Sequence, residues 1–297
     1  MGKPVIGIIG GSGLYDIDGL ADVEWRRVES PFGATSDEFC FGTLDGDPVV
    51  FVPRHGRGHV LPPTEINFRA NIDALKRCGV TDIVSLSAVG SLREDLAPGD
   101  FVVVDQFVDR TFARKKSFFG KGLVAHVSMA HPVCGRIGEA LVEAGADTGV
   151  ALKRGGTYIV IEGPQFSSLA ESELCRFWKC DVIGMTNMPE AKLAREAEIC
   201  YATVAMVTDY DCWHPGQEVT VDMIVGVLLA NAERAKALVR RVVPRLARHD
   251  GPCRQGCQHA LDSALITAPE RRDPEILARL DAVAGRVLRR DGRQEGL

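Results

Sequence analysis

Donors that could hold an anion follow two apolar stretches of the sequence. Ser12 lies in the glycine-rich turn after residues 5–9, and Arg54 and His55 come directly after residues 49–52. The backbone N–H groups of a tight turn, a hydroxyl and a planar guanidinium all suit phosphate. Because ligands of open α/β sheets bind beyond the strand ends, this placement predicts an anion site.

Other interpretations of these two segments are weaker or structural. Asp16 stands where a dinucleotide-binding fingerprint has its third glycine, and the spacing and lysine of a P-loop are missing. A tight structural turn is therefore the alternative for the glycine-rich segment. A zinc site on His55 and His59 would need a helix to bring both rings to one face, and the intervening glycines disfavour a helix.

Two later stretches also end in small or hydroxyl residues. Ser87 follows residues 83–86 and could bring backbone donors close to a ligand, although an ordinary strand end would look the same. Residues 161–168 include Phe166, which could stack on a base or simply pack in the core. They also include Ser167 and Ser168, either of which could cap a following helix, so helix capping is a sufficient explanation for these serines.

Asp209 and Asp211 form a carboxylate pair after the apolar residues 201–207. Residues at i and i+2 of a strand point to the same side, and like charges held close together raise at least one pKa. The pair therefore predicts a proton donor near neutral pH, with a strand-terminating turn as the alternative. Carboxylates suit a nitrogen heterocycle, so together with the phosphate donors they indicate a nucleoside ligand.

The nine cysteines are an odd number, and no signal peptide precedes the first apolar stretch, so we expect a reduced, cytoplasmic protein. Cys253 and Cys257 could be half of a metal site, but they lack the usual two-residue gap. We therefore predict a mobile, oxidisable tail there and no metal. Cys134 and Cys200 could meet in space, which the sequence leaves open.

The elements that must position these residues repeat along the chain. Short apolar, β-branched stretches alternate with helical ones, which is typical of a single α/β domain with a central mixed, largely parallel sheet flanked by helices. The predicted strands are residues 5–9, 49–52, 83–86, 101–104, 158–161, 182–185 and 202–207. The predicted helices are residues 64–78 with Thr64 as the cap, 132–144 with Gly145 as the stop, 220–243 with Pro244 as an end or kink, and 273–288.

Charge and hydropathy exclude two classes of partner. The 297 residues carry 35 Lys and Arg against 40 Asp and Glu, a net charge of −5. This balance gives no basic surface for nucleic acid, and no stretch is long and apolar enough to span a bilayer. We therefore expect neither nucleic acid nor a membrane as a partner.

Six motifs follow one another in order along the chain. They are Gly-Gly-Ser-Gly at 10–13, Pro-Arg-His-Gly at 53–56, Ser-Leu-Arg-Glu at 91–94, Gln-Phe-Val-Asp-Arg-Thr at 106–111, Ile-Glu-Gly-Pro-Gln-Phe-Ser-Ser at 161–168 and Thr-Asp-Tyr-Asp-Cys-Trp at 208–213. In this order they resemble the 5′-methylthioadenosine phosphorylase family, and the likeness covers about residues 5–245.

The resemblance implies a nucleoside-phosphorylase fold that converts 5′-methylthioadenosine and phosphate to adenine and 5-methylthioribose 1-phosphate, in purine and methionine salvage. It implies a homotrimer, or a dimer of trimers, and no metal or organic cofactor, because phosphate is a co-substrate. Residues 1–248 would form the catalytic domain. Residues 249–297 would form a C-terminal appendage whose terminal helix packs on the same domain or on a neighbouring subunit.

The resemblance also implies roles for individual residues. Those holding phosphate would be Ser12, Arg54, His55, Ser87 with the Ala88 amide, and Thr186. Those meeting the nucleoside would be Phe166 and Ser167 at the purine, Met185 at the ribose, and Asp209 and Asp211 at N7 and the 6-amino group, with Asp209 as the acid. Those meeting the methylthio group would be Val221, Ile224 and Val225, with His126 reaching in from a neighbouring subunit.

Four alternatives remain. A phosphorylase for methylthioinosine or another 6-oxopurine nucleoside would prefer an amide where Asp209 stands. A non-catalytic nucleotide-binding module would bind without releasing the base, and a dinucleotide-dependent oxidoreductase has only the incomplete glycine fingerprint in its favour. A hydrolase that uses water would have no need of Arg54 and His55.

Overall fold

Eleven strands of the described part of the chain form one mixed sheet at the centre of the protein. The computed structural model describes residues 3–11, 14–150, 152–215, 221–249, 251 and 253–294, except for the side chains of 221–223 and 290–294. The strands are β1 (Val5–Gly10), β2 (Leu20–Arg26), β3 (Phe39–Leu44), β4 (Asp47–Pro53), β5 (Val80–Ser91), β6 (Phe101–Val103), β7 (Gln106–Asp109), β8 (Leu152–Arg154), β9 (Thr157–Val160), β10 (Val182–Gly184) and β11 (Cys200–Asp209).

The strand order is β2-β3-β4-β1-β5-β10-β9-β7, while β11 pairs with β5 and β6, and β6 pairs with β8. Six of the ten pairings are parallel and four are antiparallel, which confirms a mixed, largely parallel sheet. All seven predicted strands are present. Of the strands that were not predicted, β2 and β8 are mostly exposed and so have no apolar run to reveal them.

Strand β5 brings the candidate residues together because it pairs with several strands along its length. Its first half lies between β1 and β11, both parallel to it. Its last residues, Gly90 and Ser91, pair antiparallel with β10. The chain after β10 therefore runs back along β5, while β11 ends beside Gly90.

Helices cover both faces of the sheet. Alternate residues of β11 enter two separate core clusters, one packed with α1, α4 and the C-terminal segment and the other with α2 and α5. The helices are α1 (Phe68–Arg77), α2 (Gly135–Thr148), α3 (Leu169–Phe177), α4 (Asn187–Glu196), α5 (Val221–Ala247), α6 (Pro274–Arg279) and α7 (Gly285–Gln294). Short 3₁₀ helices span Pro63–Glu65, Asp211–Trp213, Cys257–His259 and Pro269–Arg271.

Four predicted helices differ from the structure. The single helix predicted over residues 273–288 is two helices, α6 and α7, and three boundaries of the other helices lie elsewhere. The cap of α1 is Asn67, whose side chain accepts the Ala70 N–H, and Thr64 instead lies in a 3₁₀ helix. Helix α2 continues through Gly145 to Thr148, and the glycine serves packing rather than ending the helix, because a Cβ there would lie 2.4 Å from Leu152 Cδ1 of β8. Helix α5 continues past Pro244, since buried residues on both sides of the proline hold it against the core.

The C-terminal segment packs on this chain's own core. Leu261, Leu280 and Val287 belong to the cluster that contains α1 and α4. Cys253 and Cys257 are buried, so the expectation of a mobile tail at these residues is wrong. The domain boundary at residue 248 stays a prediction. Within the described residues, no helix combines the length and apolar character needed to cross a membrane.

Candidate active site

Arg54 lies just beyond β4 with only 2% of its surface exposed. Its Nε donates to Glu190 Oε2 at 2.8 Å, and its Nη2 donates to Glu190 Oε1 at 3.2 Å and to Ser85 Oγ at 2.5 Å. Its Nη1 donates to the Leu86 carbonyl at 3.1 Å. A guanidinium has five N–H donors, so these four contacts to described residues leave one Nη1 hydrogen for a ligand.

Glu190 stabilises the charged form of this guanidinium and fixes its orientation. Burial opposes the charge of Arg54, but the Glu190 carboxylate outweighs burial and holds the pKa of Arg54 above its ordinary value. Glu190 also accepts hydrogen bonds from the hydroxyls of Ser85 and Tyr201, at 2.7 and 2.8 Å. Arg54 is therefore an oriented donor whose charge is already balanced.

His55 is neutral at physiological pH and presents an acceptor. Its Nδ1 lies 2.9 Å from the Leu61 carbonyl, which can only accept a hydrogen bond. Nδ1 therefore carries the proton, and Nε2 can accept a hydrogen bond from a ligand. Burial lowers the pKa of His55 to about 4. Its ring stacks on that of His59, 4.1 Å between centroids, an arrangement of parallel rings that does not suit a shared metal ion.

Three buried hydroxyls meet at Ser87 of β5. Its Oγ lies 2.9 Å from Thr186 Oγ1 and 3.0 Å from the Tyr158 hydroxyl. Thr186 arrives there because the chain after β10 turns back along β5. Ala88, the next residue of β5, is half-buried. Ser87 and Thr186, far apart in sequence, are thus in direct contact.

The glycine-rich turn begins beside Arg54. The Arg54 N–H donates to the Gly10 carbonyl at 3.0 Å. A Cβ on Gly10 would lie 2.1 Å from Leu14 Cδ1, so the Leu14 side chain packs in the space that the glycine leaves at the start of this turn. Ser12, predicted to bind phosphate, lies outside the described residues.

Asp209 ends β11 opposite Gly90 of β5. Its Oδ1 accepts the Asp211 N–H at 2.8 Å, and its Oδ2 accepts the Thr208 hydroxyl at 2.7 Å. A Cβ on residue 90 would lie 2.9 Å from Oδ1, so the glycine leaves the space that this carboxyl occupies. The strand ends here, and Asp211 begins a 3₁₀ helix with a left-handed φ of 53° rather than continuing the strand as predicted.

Burial raises the pKa of both carboxyls. For Asp209 the hydrogen bonds from Thr208 and Asp211 oppose this effect. For Asp211 the opposing bond comes from the Ser172 hydroxyl, 2.5 Å from Oδ2, while the nearby Asp209 charge adds to the rise. The direction agrees with the prediction of a proton donor, but burial rather than the like charge is its main cause.

The predicted base-binding segment lies against this carboxylate pair. Phe166 is 51% exposed in the loop before α3, and the Ser167 carbonyl accepts the Cys212 thiol at 3.3 Å. Of the two predicted caps, Ser168 is the one that caps α3, in a reciprocal capping box with Glu171. The exposed ring of Phe166 is available to a ligand in a way that a core residue is not.

Met185 connects the hydroxyl cluster with the base-binding loop. Its Sδ would lie 2.5 Å from a Cβ on Gly163, so the glycine lets the thioether pack over the loop. Its carbonyl accepts Arg114 Nη1 at 2.6 Å. Arg114 also donates to the Glu162 side chain at 3.0 Å and to the Met188 carbonyl at 2.7 Å, so it fixes the backbone on both sides of Thr186.

The remaining predicted residues lie at the start of α5 and in the segment between β7 and α2. Ile224 is half-buried and Val225 is exposed on the first turns of α5, and Val221 begins this helix. His126 is exposed, and its backbone N–H donates to the Ala264 carbonyl at 2.9 Å. Its described contacts are thus to the C-terminal segment.

Sequence reasoning missed the residues that hold the predicted ones in place. Glu190 could have been suspected, because a buried arginine needs a counter-charge and a carboxylate beside Pro189 on an apolar helix is a candidate. The other supporting residues have no distinctive sequence signal. They are Ser85, Arg114, Tyr158, Glu162, Ser172 and Thr208.

Known proteins share this chain's sequence and fold along nearly its whole length. A family model described as the phosphorylase superfamily matches residues 5–244. An S-methyl-5′-thioadenosine phosphorylase of Cereibacter sphaeroides is 63% identical over 288 residues, which are 97% of this chain and 99% of the relative.

Solved structures agree with these sequence relationships. A methylthioadenosine phosphorylase from an Antarctic soil metagenomic library superposes with a TM-score of 0.90 at 46% identity, over 95% of this chain and 99% of that one. The methylthioadenosine phosphorylase of Schistosoma mansoni in complex with adenine gives a TM-score of 0.79 at 36% identity, over 83% of this chain and 93% of that one. This chain therefore belongs to the phosphorylase superfamily and, within it, to the S-methyl-5′-thioadenosine phosphorylase family.

Proposed function

We propose that this chain catalyses the phosphorolysis of 5′-methylthioadenosine to adenine and 5-methylthioribose 1-phosphate. The observation that carries the proposal is the order of three groups along β5. Arg54 contacts Ser85, Thr186 contacts Ser87, and Asp209 faces Gly90. At about 3.3 Å per strand residue, Ser87 and Gly90 are about 10 Å apart, which is the span of a ribose with phosphate on one side and a base on the other.

The end of the site at Arg54 suits inorganic phosphate. The free Nη1 hydrogen of Arg54 and the hydroxyls of Ser87 and Thr186 donate to phosphate oxygens. Phosphate at neutral pH still carries a P–OH group, and the neutral His55 offers Nε2 to accept a hydrogen bond from it. Ser12 and the Ala88 amide complete this end, as the family resemblance implies.

The end of the site at Asp209 suits the departing purine. Cleavage of the glycosidic bond leaves negative charge on the base, and a protonated carboxyl at N7 neutralises this charge as it develops. Burial raises the pKa of Asp209, so its proton is available closer to neutral pH than that of an ordinary carboxyl. Asp211 accepts from the 6-amino group, and Phe166 packs on the purine ring.

The ribose lies between these ends. Met185 covers it, and the phosphate dianion below it acts both as nucleophile and as counter-charge to the positive ribose of the transition state. Alignment of the two substrates lowers the barrier by several kcal/mol. Because phosphate itself supplies the nucleophile, we infer that the reaction uses neither a metal nor an organic cofactor.

The methylthio group requires an apolar wall, and we infer a homotrimer that completes it. Ile224 and Val225, with Val221, supply apolar side chains that would leave a 5′-hydroxyl unpaired. Exposed aromatic residues support an interface between copies: Phe112 is 82% and Phe177 81% exposed. His126 would reach across it. We also place the enzyme in the reducing cytoplasm, since its nine cysteines form no disulfide.

The Asp209→Asn variant tests the proposed mechanism. Since the proton of Asp209 matters as the base departs, kcat should fall by about 10²–10⁴-fold with little change in the KM for nucleoside. Asp45→Asn is the control, because Asp45 is exposed in a turn with a left-handed φ of 51° that asparagine tolerates. Near-normal turnover in Asp209→Asn would remove Asp209 as the acid. Nucleoside binding without base release in the wild type would show a binding module instead.

A further inference from the structure

Four buried cysteines come together at the end of β11 that is remote from Asp209. Cys134 immediately precedes α2, Cys200 begins β11, and Cys253 and Cys257 flank a turn after α5. Their Sγ atoms all lie within 4.8 Å of one another. That of Cys253 is 3.4 Å from Cys134 Sγ and 3.5 Å from Cys257 Sγ. None of the four residues is more than 4% exposed.

These separations fit one tetrahedral metal ion. Four Zn–S bonds of about 2.3 Å in a tetrahedron separate the sulfurs by about 3.8 Å, which lies between the shortest and the longest separations found here. Disulfides would join the cysteines two by two at about 2 Å, whereas each sulfur here has three sulfur neighbours. A set of four soft thiolates in tetrahedral geometry favours zinc.

The surroundings of the cluster offset the charge that such a site carries. Zn²⁺ with four thiolates has a net charge of −2, which is costly to bury without counter-charges. Arg195 Nη1 donates to Cys257 Sγ at 3.5 Å, and the Arg136 guanidinium, which also pairs with Asp82, contacts Cys200. Cys134 lies at the N-terminal end of α2, where the helix dipole favours a thiolate.

We propose that Cys134, Cys200, Cys253 and Cys257 bind one structural Zn²⁺ ion. Binding releases the four thiol protons to solvent, forms four Zn–S bonds and changes no oxidation state. The cysteines come from three separate parts of the chain, which is why the spacing of Cys253 and Cys257 predicted no metal. The site takes no part in phosphorolysis, because Cys200 and Asp209 lie at opposite ends of β11, about 30 Å apart.

The position of the site explains its structural role. The core cluster on one face of the sheet contains α5 and the four cysteines, whereas residues from Leu261 to Val287 pack on the other face. The turn at Cys253–Cys257 is where the chain passes between the faces, and Gln255 in this turn already accepts the Gly135 N–H. A metal ion would fix this crossing to α2 and β11.

Metal analysis of the wild-type protein tests the site without relying on any variant. Tag-free protein expressed in zinc-supplemented medium should contain about one zinc per chain by plasma mass spectrometry, and all nine cysteines should react as thiols once it is denatured with a chelator. Co²⁺ exchanged into the protein should show thiolate charge-transfer bands and the visible bands of a tetrahedral ion. Metal-free protein with nine thiols, or disulfides among the four cysteines, would overturn the proposal.

Serine variants locate the metal. Cys253→Ser and Cys257→Ser should each lose the zinc and have a lower Tm than the wild type. Cys40→Ser is the matched control, since Cys40 is equally buried but lies in β3 outside the cluster. It should keep the metal even if its Tm falls. Retention of zinc by both Cys253→Ser and Cys257→Ser would contradict the assignment of these ligands.

Discussion

The buried pair of Arg54 and Glu190 gives a prediction about stability and phosphate binding together. Both side chains are 3% exposed, and the Nε–Oε2 distance is 2.8 Å. Glu190→Gln removes the counter-charge while keeping an oxygen to accept from Ser85 and Tyr201. The change therefore leaves the Arg54 charge buried without its partner.

The expected cost follows from that burial. Removing one partner of a buried ion pair destabilises a protein by about 3–5 kcal/mol, a large part of a typical free energy of unfolding. Arg54→Met should cost a similar amount, because it leaves the Glu190 charge unpaired. The double variant should cost less than the sum of the two, with a coupling energy of about 3 kcal/mol.

Urea unfolding followed by tryptophan fluorescence measures these costs. Protein concentration must be fixed, since the stability of an oligomer depends on it. Glu233→Gln is the control, because Glu233 pairs with Lys236 on the exposed surface of α5, and its loss should cost less than about 1 kcal/mol. Added phosphate should stabilise Glu190→Gln more than the wild type, because the anion replaces the missing counter-charge.

Three results would refute this reasoning. Single-variant costs below about 1 kcal/mol would mean that the pair is solvated and not buried as the structure shows. Additive costs in the double variant would mean that the two charges do not interact. A phosphate effect equal in Glu190→Gln and wild type would place the anion away from Arg54.

Three further predictions concern the carboxyls. Gly90→Ala should lower kcat by about 10²-fold with less effect on KM, since its Cβ would lie 2.9 Å from Asp209 Oδ1; unchanged steady-state kinetics would contradict this. Thr208→Val removes a hydrogen bond that lowers the pKa of Asp209, so the alkaline limb of the kcat profile should move to higher pH, and movement to lower pH would count against Asp209 as the acid. Burial raises the pKa of Glu196 from 4.5 to about 7, so the folded protein holds this proton longer and loses stability as the pH rises between these values. Glu196→Gln should therefore gain up to about 3 kcal/mol relative to wild type between pH 4 and 8 in paired denaturation curves, with no such gain as the contrary result. The pKa of His55 is lowered to about 4, which gives the free energy of unfolding the opposite dependence on pH. Both proteins in this comparison contain His55, so its contribution cancels.

The sequence predicts the residues at the two ends of the site better than it predicts the residues that hold them in place. Arg54 directly follows the buried apolar strand β4, and Asp209 ends the buried apolar strand β11. Local pattern and the geometry of α/β sheets therefore suffice to place them. Glu190 contacts Arg54 across 136 residues of sequence, and its direction depends on how α4 packs. A long-range contact of this kind leaves no local periodicity to detect.

The errors in the predicted fold have the same origin. Helix α5 passes through Pro244 because the buried side chains on both sides outweigh the local cost of proline. Cys253 and Cys257 looked like part of a polar tail, yet they meet Cys134 and Cys200 from distant parts of the chain. Tertiary packing decides both cases.

The most direct test of the proposed function is a comparison of four nucleosides with and without phosphate. Base release from methylthioadenosine, methylthioinosine, adenosine and inosine is measured by chromatography, and the sugar product by phosphorus NMR. We predict that methylthioadenosine is the best substrate, that adenine appears only with phosphate, and that 5-methylthioribose 1-phosphate forms in equal amount. Faster turnover of methylthioinosine, or adenine released without phosphate, would contradict the account.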